Sequence, residues 1–351
     1  MPSDVRLQWR DKSGPNQPSR VASLDVERLH GTDGSLRNSL IAGDNIEVMY
    51  ALLDDTSQRF SLIYLDPPFF SGRDWHMSSS ADPYAQKAYQ DTWNGDVSAY
   101  LQWLYDRVAL ARNLLTEDGS LYLHLNWQAS HYGRLILDEL FGPDKFQNEI
   151  IWGYREAINS RKRWNRKHDT IYFYTKTNHY TFNPETALQP YSDTTLKKYR
   201  YSDDKGSYRI MGRGITDSPL RSRRDLPEEM EALYPDLTYR HYLGKGTLPV
   251  DYWIIDIENQ ASTKRTGYPT QKPEALLEKI LLASTNPGDR IADFCCGSGT
   301  TLAVADRLHR AWVGCDSGDL AINTSESRLL SSGSSFKVLK TSFPEDLRQL
   351  P

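Results

Sequence analysis

Short apolar runs, each feeding a polar turn, alternate with longer stretches of helical period along most of this chain. Runs at 39–42, 61–65, 120–125, 149–154, 170–175, 290–294 and 312–315 read as strands buried in a sheet. Between them 45–53, 100–115, 129–141, 273–284, 300–310 and 319–330 read as helices, the fourth opened by Pro273 at the favoured first position. This alternation predicts an α/β fold: a doubly wound, mostly parallel sheet with helices on both faces. Such sheets bind ligands in the crevice outside the carboxyl ends of their strands.

The alternation fails in three places. Residues 1–38 are polar and broken by Gly14, Pro15, Pro18, Gly31 and Gly34, which predicts a loosely packed arm. The connection at 70–98 carries several aromatics and is longer than a link requires, so a mobile loop that touches substrate is expected. From 176 to 265 the chain is rich in Tyr, Arg, Asp, Gly and Pro and loses its period, as an inserted lobe would. The expected organisation is an arm (1–38), a first half-domain (39–175), the insertion (176–265), a second half-domain (266–335) and a tail (336–351).

Length and composition fit one substantial core: 351 residues, 38% hydrophobic and 25% charged. No apolar stretch approaches the roughly 20 residues that cross a bilayer, and residues 1–18 lack a secretory core, so a cytoplasmic protein with no membrane partner is expected. Cys295, Cys296 and Cys315 have no paired metal-site spacing and read as buried reduced thiols, with no metal expected. The net charge of -4 argues against a uniformly basic nucleic-acid binder. Locally, however, Arg155, Arg161, Lys162, Arg163, Arg166 and Lys167 face one acid, Glu156, with Tyr154 and Trp164 interleaved. That density reads either as a solvated loop or as phosphate contacts with stacking surfaces. Lys197, Lys198, Arg200, Arg209, Arg213, Arg221, Arg223 and Arg224 punctuate the insertion, where each is more often a phosphate contact or plain surface charge than a reader of bases.

Two turns at strand ends carry the chemistry. Asp66-Pro67-Pro68-Phe69 offers a carboxylate, backbone carbonyls freed by two prolines that cannot donate, and an aromatic face. Asp293-Phe294-Cys295-Cys296-Gly297-Ser298-Gly299-Thr300-Thr301 offers a glycine turn that opens a helix, where backbone can approach a nucleoside cofactor closely. Asp316 lies 19 residues past Gly297, near the roughly 20-residue offset at which an acid meets ribose hydroxyls. Leu302 stands where a dinucleotide fingerprint has its third glycine, which disfavours a nicotinamide enzyme. Asp44, just before a helical run, reads as a helix cap. Tyr64 reads as core, alternating with buried strand residues.

With Thr270-Gln271-Lys272-Pro273 between them, the two turns resemble those of the S-adenosylmethionine-dependent amino-DNA methyltransferases. The tetrapeptide precedes the glycine turn, which is the permuted order of the beta class. The resemblance spans about residues 39 to 330, apart from an unmatched block near 180–265. It implies that Asp293, Phe294, Gly297, Ser298, Gly299 and Thr300 surround the methionine part of S-adenosylmethionine, that Asp316 binds ribose, that Asp44 lies near the adenine, and that Thr270 and Lys272 cover the cofactor. It also implies double-stranded DNA as substrate, adenine as the base that accompanies an Asp at the first motif position, and cytosine-N4 as the rival target. A homodimer and a cognate restriction endonuclease are compatible with it.

The chemistry agrees with that implication. An exocyclic amine is a weak nucleophile because its lone pair is delocalised into the ring. Asp66 and the Pro67 carbonyl, each accepting one amino hydrogen, would localise that pair and aim it at a methyl donor. A carboxylate titrating near pH 4 cannot deprotonate a neutral aromatic amine, so Asp66 is read as accepting the proton once positive charge develops. Phe69 would stack on a base extruded from the duplex. A binding protein that retains the fold without catalysis would need no such carboxylate.

Overall fold

Leu62, Ile63, Tyr64 and Leu65 are all buried, and so are Ile291, Ala292, Trp312 and Val313, because apolar side chains on alternate positions enter two cores on opposite faces of one sheet. The computed structural model describes residues 6–17, 22–31, 37–55, 57–76, 87–155, 160–214, 220, 224–258 and 265–343. Its main sheet is formed by β1 Ser23–His30, β2 Ser39–Ala42, β3 Phe60–Leu65, β4 Leu115–Leu125, β5 Phe146–Gly153, β6 His168–Thr175, β7 Tyr252–Ile254, β8 Arg290–Asp293, β9 Ala311–Asp316 and β10 Phe336–Ser342. The spatial order is β1-β10-β2-β9-β8-β3-β4-β6-β5-β7. β6 is antiparallel to both neighbours and β1 to β10, while every other pairing is parallel.

Helices α1 Asn45–Leu53, α2 Val97–Leu114 and α3 Ser130–Phe141 cover one face, packing Val48, Leu104 and Ile136 against Ile63, Leu121 and Val313. Helices α4 Glu274–Ser284, α5 Thr300–Arg307 and α6 Asp319–Ser331 cover the other, packing Leu277, Leu302 and Ile322 against Leu62, Tyr122 and Trp312. Truncating a fully buried aromatic such as Phe60 or Trp312 to alanine would cost about 3–5 kcal/mol, a large share of a domain's stability. The strand ends are therefore held by a rigid scaffold. Among the described residues no helix is long and apolar enough to cross a membrane.

Four sequence expectations are corrected. The arm is not loose: Trp9 packs edge-on against Tyr105 at 5.6 Å, and Lys12 pairs with Glu139 at 2.7 Å. Nor are arm and tail separate pieces, since β1 and β10 pair along seven positions and extend the sheet. The helix expected at 300–310 stops at Arg307 because His309 turns into left-handed backbone, φ 61°. The insertion is shorter than 176–265. Asn183 donates to the Ala283 carbonyl at 2.6 Å, and β7 joins β5, so both ends belong to the sheet's unit.

What remains, Pro184–Val250, is a compact unit of its own. It is a small antiparallel sheet of Tyr201–Asp203, Gly206–Gly212, Asp225–Leu226 and Thr238–Tyr242 around Tyr208, Ile210, Leu220 and Leu226. Of its cations, Arg209 is paired with Asp225 at 3.1 Å; Arg221 and Arg223 lie outside the described residues.

Candidate active site

Strand register decides what meets at the carboxyl edge. Asp293, last in β8, lies opposite Tyr64 of β3 and Gly314 of β9, while Asp316 of β9 lies opposite Ala42 of β2. Asp66 follows Tyr64 by two residues and Asp44 follows Ala42 by two, so four carboxylates emerge side by side. All four line one pocket, together with Pro67, Pro68, Phe69, Thr270, Lys272, Phe294, Gly297, Ser298, Thr300 and Thr301.

On the pocket's glycine side, Gly297 and Gly299 take left-handed backbone, φ 51° and 70°. A Cβ on Gly299 would stand 2.7 Å from Ser325 Oγ, so the turn admits no side chain there and α6 packs directly behind it. The Gly297 amide donates to Asp316 Oδ2 at 3.0 Å and the Gly318 amide to Oδ1 at 2.9 Å. Phe294 turns its ring into the core against Phe60, and its carbonyl accepts from Asn45 Nδ2 at 3.1 Å. Asp44 both caps α1, accepting from the Ile46 amide at 2.9 Å, and pairs with Arg107 at 2.9 Å. Its two sequence readings are thus compatible. Arg107 and Trp103, on α2, also line this end; sequence reading missed both, since neither stands in a motif.

The electrostatics of the four acids differ. Asp44 has Arg107 and Asp66 has Lys272, at 2.5 Å. Asp293 and Asp316 meet backbone amides and hydroxyls, and among the described residues no cation pairs with either. Burial, reinforced by Asp66 and Asp316, pushes Asp293 up to about 7, and burial likewise raises Asp316. A site with four carboxylates and two cations is suited to a cationic ligand, such as one carrying a sulfonium and an ammonium group.

On the Asp66 side Lys272, which lines the pocket, directs its ammonium to Asp66 Oδ2 and lies 5.1 Å from the Phe69 ring centre. Asp66 Oδ1 is buried without a hydrogen-bond partner among the described residues. Three residues that sequence reading did not single out complete this side. Asp91, 1% exposed, accepts the amides of Phe69, Phe70 and Ser71 at 3.2, 2.9 and 2.8 Å and the Trp93 indole at 3.0 Å. It clamps the turn after Asp66 even though Phe70 is left-handed, φ 59°. His124, fully buried on β4, has Nδ1 2.7 Å from the Tyr64 hydroxyl and 3.8 Å from Asp66 Oδ1, and Nε2 3.3 Å from Asp169 Oδ2. Tyr64 is core, as expected, yet its hydroxyl reaches the site.

Beside this pocket opens a cleft of about 980 Å³, sharing Phe69, Tyr89, Tyr268 and Lys272 with it. From the 70–98 loop come Ser71, Arg73, Trp75, His76 and Tyr89; residues 77–86 lie outside the described part. Of the basic segment, Arg163 and Arg166 line the cleft, and Arg166 lies 3.5 Å over the exposed Trp127 ring. Arg155 is instead paired with Asp256 at 2.6 Å, while Arg161, Lys162 and Lys167 are not among the lining residues. A salt bridge with a neighbouring acid is invisible in a local charge count.

Residues 60–327 match the DNA methylase family. The chain belongs to the amino-DNA methyltransferases. It is 30% identical over 321 residues to the type II methyltransferase M.EcaI of Enterobacter cloacae, covering 82% of this chain and 68% of that one. To the DNA adenine methyltransferase YhdJ of Escherichia coli it is 25% identical over 283 residues, 80% and 79% of the two chains. In fold it is similar to the PvuII DNA methyltransferase, cytosine-N4-specific, with a TM-score of 0.50, 16% identity, and 83% and 86% coverage. The methyl donor of this family is S-adenosylmethionine, whose cationic groups suit the acid-rich pocket of this methyltransferase.

Proposed function

We propose that this methyltransferase modifies the N6 amino group of an adenine turned out of double-stranded DNA. The observation that carries the reading is the juxtaposition of Asp66 and the glycine turn in one pocket, with an aromatic, basic cleft opening beside it. Bound S-adenosylmethionine would supply an electrophilic methyl group. Asp293, Asp316 and the Gly297 to Thr301 turn would hold it, and Asp44 would meet its nucleoside end. Asp66 Oδ1 and the Pro67 carbonyl would accept the two amino hydrogens, localising the nitrogen lone pair toward that methyl. Lys272 holds the other carboxylate oxygen and so fixes the rotamer. Phe69, gripped through its amide by Asp91, would stack on the extruded base and offset part of the few kcal/mol lost on unstacking. Arg163 and Arg166 would neutralise phosphates along the cleft.

Adenine is supported by the carboxylate at the first motif position and by the likeness to a DNA adenine methyltransferase. Nucleoside mass spectrometry of DNA from an expressing host tests the assignment: N6-methyladenine is expected. N4-methylcytosine in its place would overturn the base while leaving the reaction class intact.

A further inference from the structure

His124 is a buried imidazole with no part in the reading so far, yet it stands between two carboxylates that both reach the ligand-facing surface. Asp66 lines the pocket and Asp169 lines the cleft. The ring is packed by Trp152 of β5 at 5.4 Å and by Phe69 at 5.6 Å. The titratable and charged groups facing it are Tyr64 and Asp66 from β3 and its turn, and Asp169 from β6, with Lys272 behind Asp66. Burial and the nearby Asp66 hold the Tyr64 phenol well above its ordinary value, so it stays protonated, with its hydroxyl 2.7 Å from His124 Nδ1. Asp169, an acceptor, then takes the hydrogen of Nε2. Nδ1 also lies 3.8 Å from Asp66 Oδ1, which has no hydrogen-bond partner among the described residues.

We propose that His124 is a positioning residue of the transfer, acting through Asp66 as the second station for the proton that the target amine gives up. This rests on the reading of Asp66 as first acceptor. In the transfer a carbon–nitrogen bond forms as the carbon–sulfur bond breaks, its electron pair leaving with sulfur. The nitrogen, now positive, loses one proton to Asp66 Oδ1. With the Tyr64 hydroxyl turned so that it accepts rather than donates at Nδ1, closing the remaining gap passes that proton to the freed Nδ1 lone pair; Asp66 returns to its anionic state, and Asp169 steadies the imidazolium through Nε2–H. Without the imidazole, Asp66 would keep the proton beside the Lys272 ammonium that holds its other oxygen.

The test uses the full chain with its DNA substrate and S-adenosylmethionine in single turnover, across pH. His124→Gln should slow methyl incorporation by about 10- to 100-fold, below the full worth of a general base because Asp66 remains, and remove the fall in rate at low pH that protonation of Nδ1 produces in the unaltered enzyme. Asp169→Asn, which retains the shape of a largely buried side chain, should shift the same limb. Independently of turnover, ¹⁵N spectra of the ligand-free protein should contain an imidazole signal with hydrogen on Nε2 alone that is lost in His124→Gln and altered in Asp169→Asn. Rates that drop while keeping the original pH profile, unchanged rates, or an Nδ1–H tautomer would each overturn the proposal. An active Asp66→Ala enzyme would instead overturn the underlying reading of Asp66.

Discussion

On the glycine side of the pocket, Asp293 to Thr301 is one uninterrupted stretch whose shape follows from two left-handed glycines and a strand-to-helix turn. On the target side, Asp66 is completed by groups from far along the chain: Asp91 from a loop, His124 and Asp169 from two neighbouring strands, and Lys272 from 206 residues away. The first side is specified by backbone conformation and the second by side chains meeting across strands. The difference teaches that the two should fail differently. Damage to the glycine side should act on cofactor affinity, and damage to the target side on the chemical step.

The sharpest separation comes from Asp66→Ala, expected to lower methyl incorporation by about 10³-fold or more while cofactor and DNA binding persist, measured by single-turnover assay and by titration of each ligand. Cofactor affinity that collapsed with it would mean the two sides are one unit. Gly299→Ala should do the reverse. Left-handed backbone and the approach to Ser325 cost about 2 kcal/mol, weakening cofactor about 30-fold by calorimetry with DNA affinity unchanged. Asp91→Ala leaves three amides of the turn without their buried acceptor. It should destabilise the chain by about 1–3 kcal/mol in denaturant titration and depress kcat without moving cofactor affinity.

One of the four aspartates at the edge, Asp293, sets a pH dependence of its own. Asp293 is raised to about 7 by burial, so below that pH it binds a proton that a cationic ligand must displace. Cofactor affinity should rise by up to about tenfold per pH unit toward neutrality and then level, a limb that Asp293→Asn flattens. Stability of the ligand-free protein runs the other way. Between the ordinary carboxyl range and 7 the folded state holds more protons than the unfolded one, so stability falls as pH rises through that window. The smallest effect is expected in the cleft. Arg166→Ala should weaken DNA binding several-fold and lower the salt slope by about one, whereas Arg155→Ala, already paired with Asp256, should change the slope by less.

Much of the scaffold was legible because it is written locally. Runs at 61–65, 290–294 and 312–315 are apolar on both alternating sets of positions, which only a strand buried on both faces requires, and the glycines of 293–301 have few other uses at a strand end. What escaped was non-local. Nothing near Ser23–His30 says that Phe336–Ser342 will cover its edge, and His124 sits in an apolar run where a lone histidine has no visible partner. Lys272 belonged to a motif, but its distance from Asp66 is a tertiary fact.

By itself, then, the chain's order of residues determined the alternation of strands and helices, the turns that interrupt it and the carboxylates at those turns, because each depends on period, chain stiffness or a residue's own dihedral freedom. Tertiary structure decided which acids share a pocket, which of them find a cation and which basic residues face the cleft. Those follow from strand register and from burial, and both are properties of neighbours that the linear order does not contain.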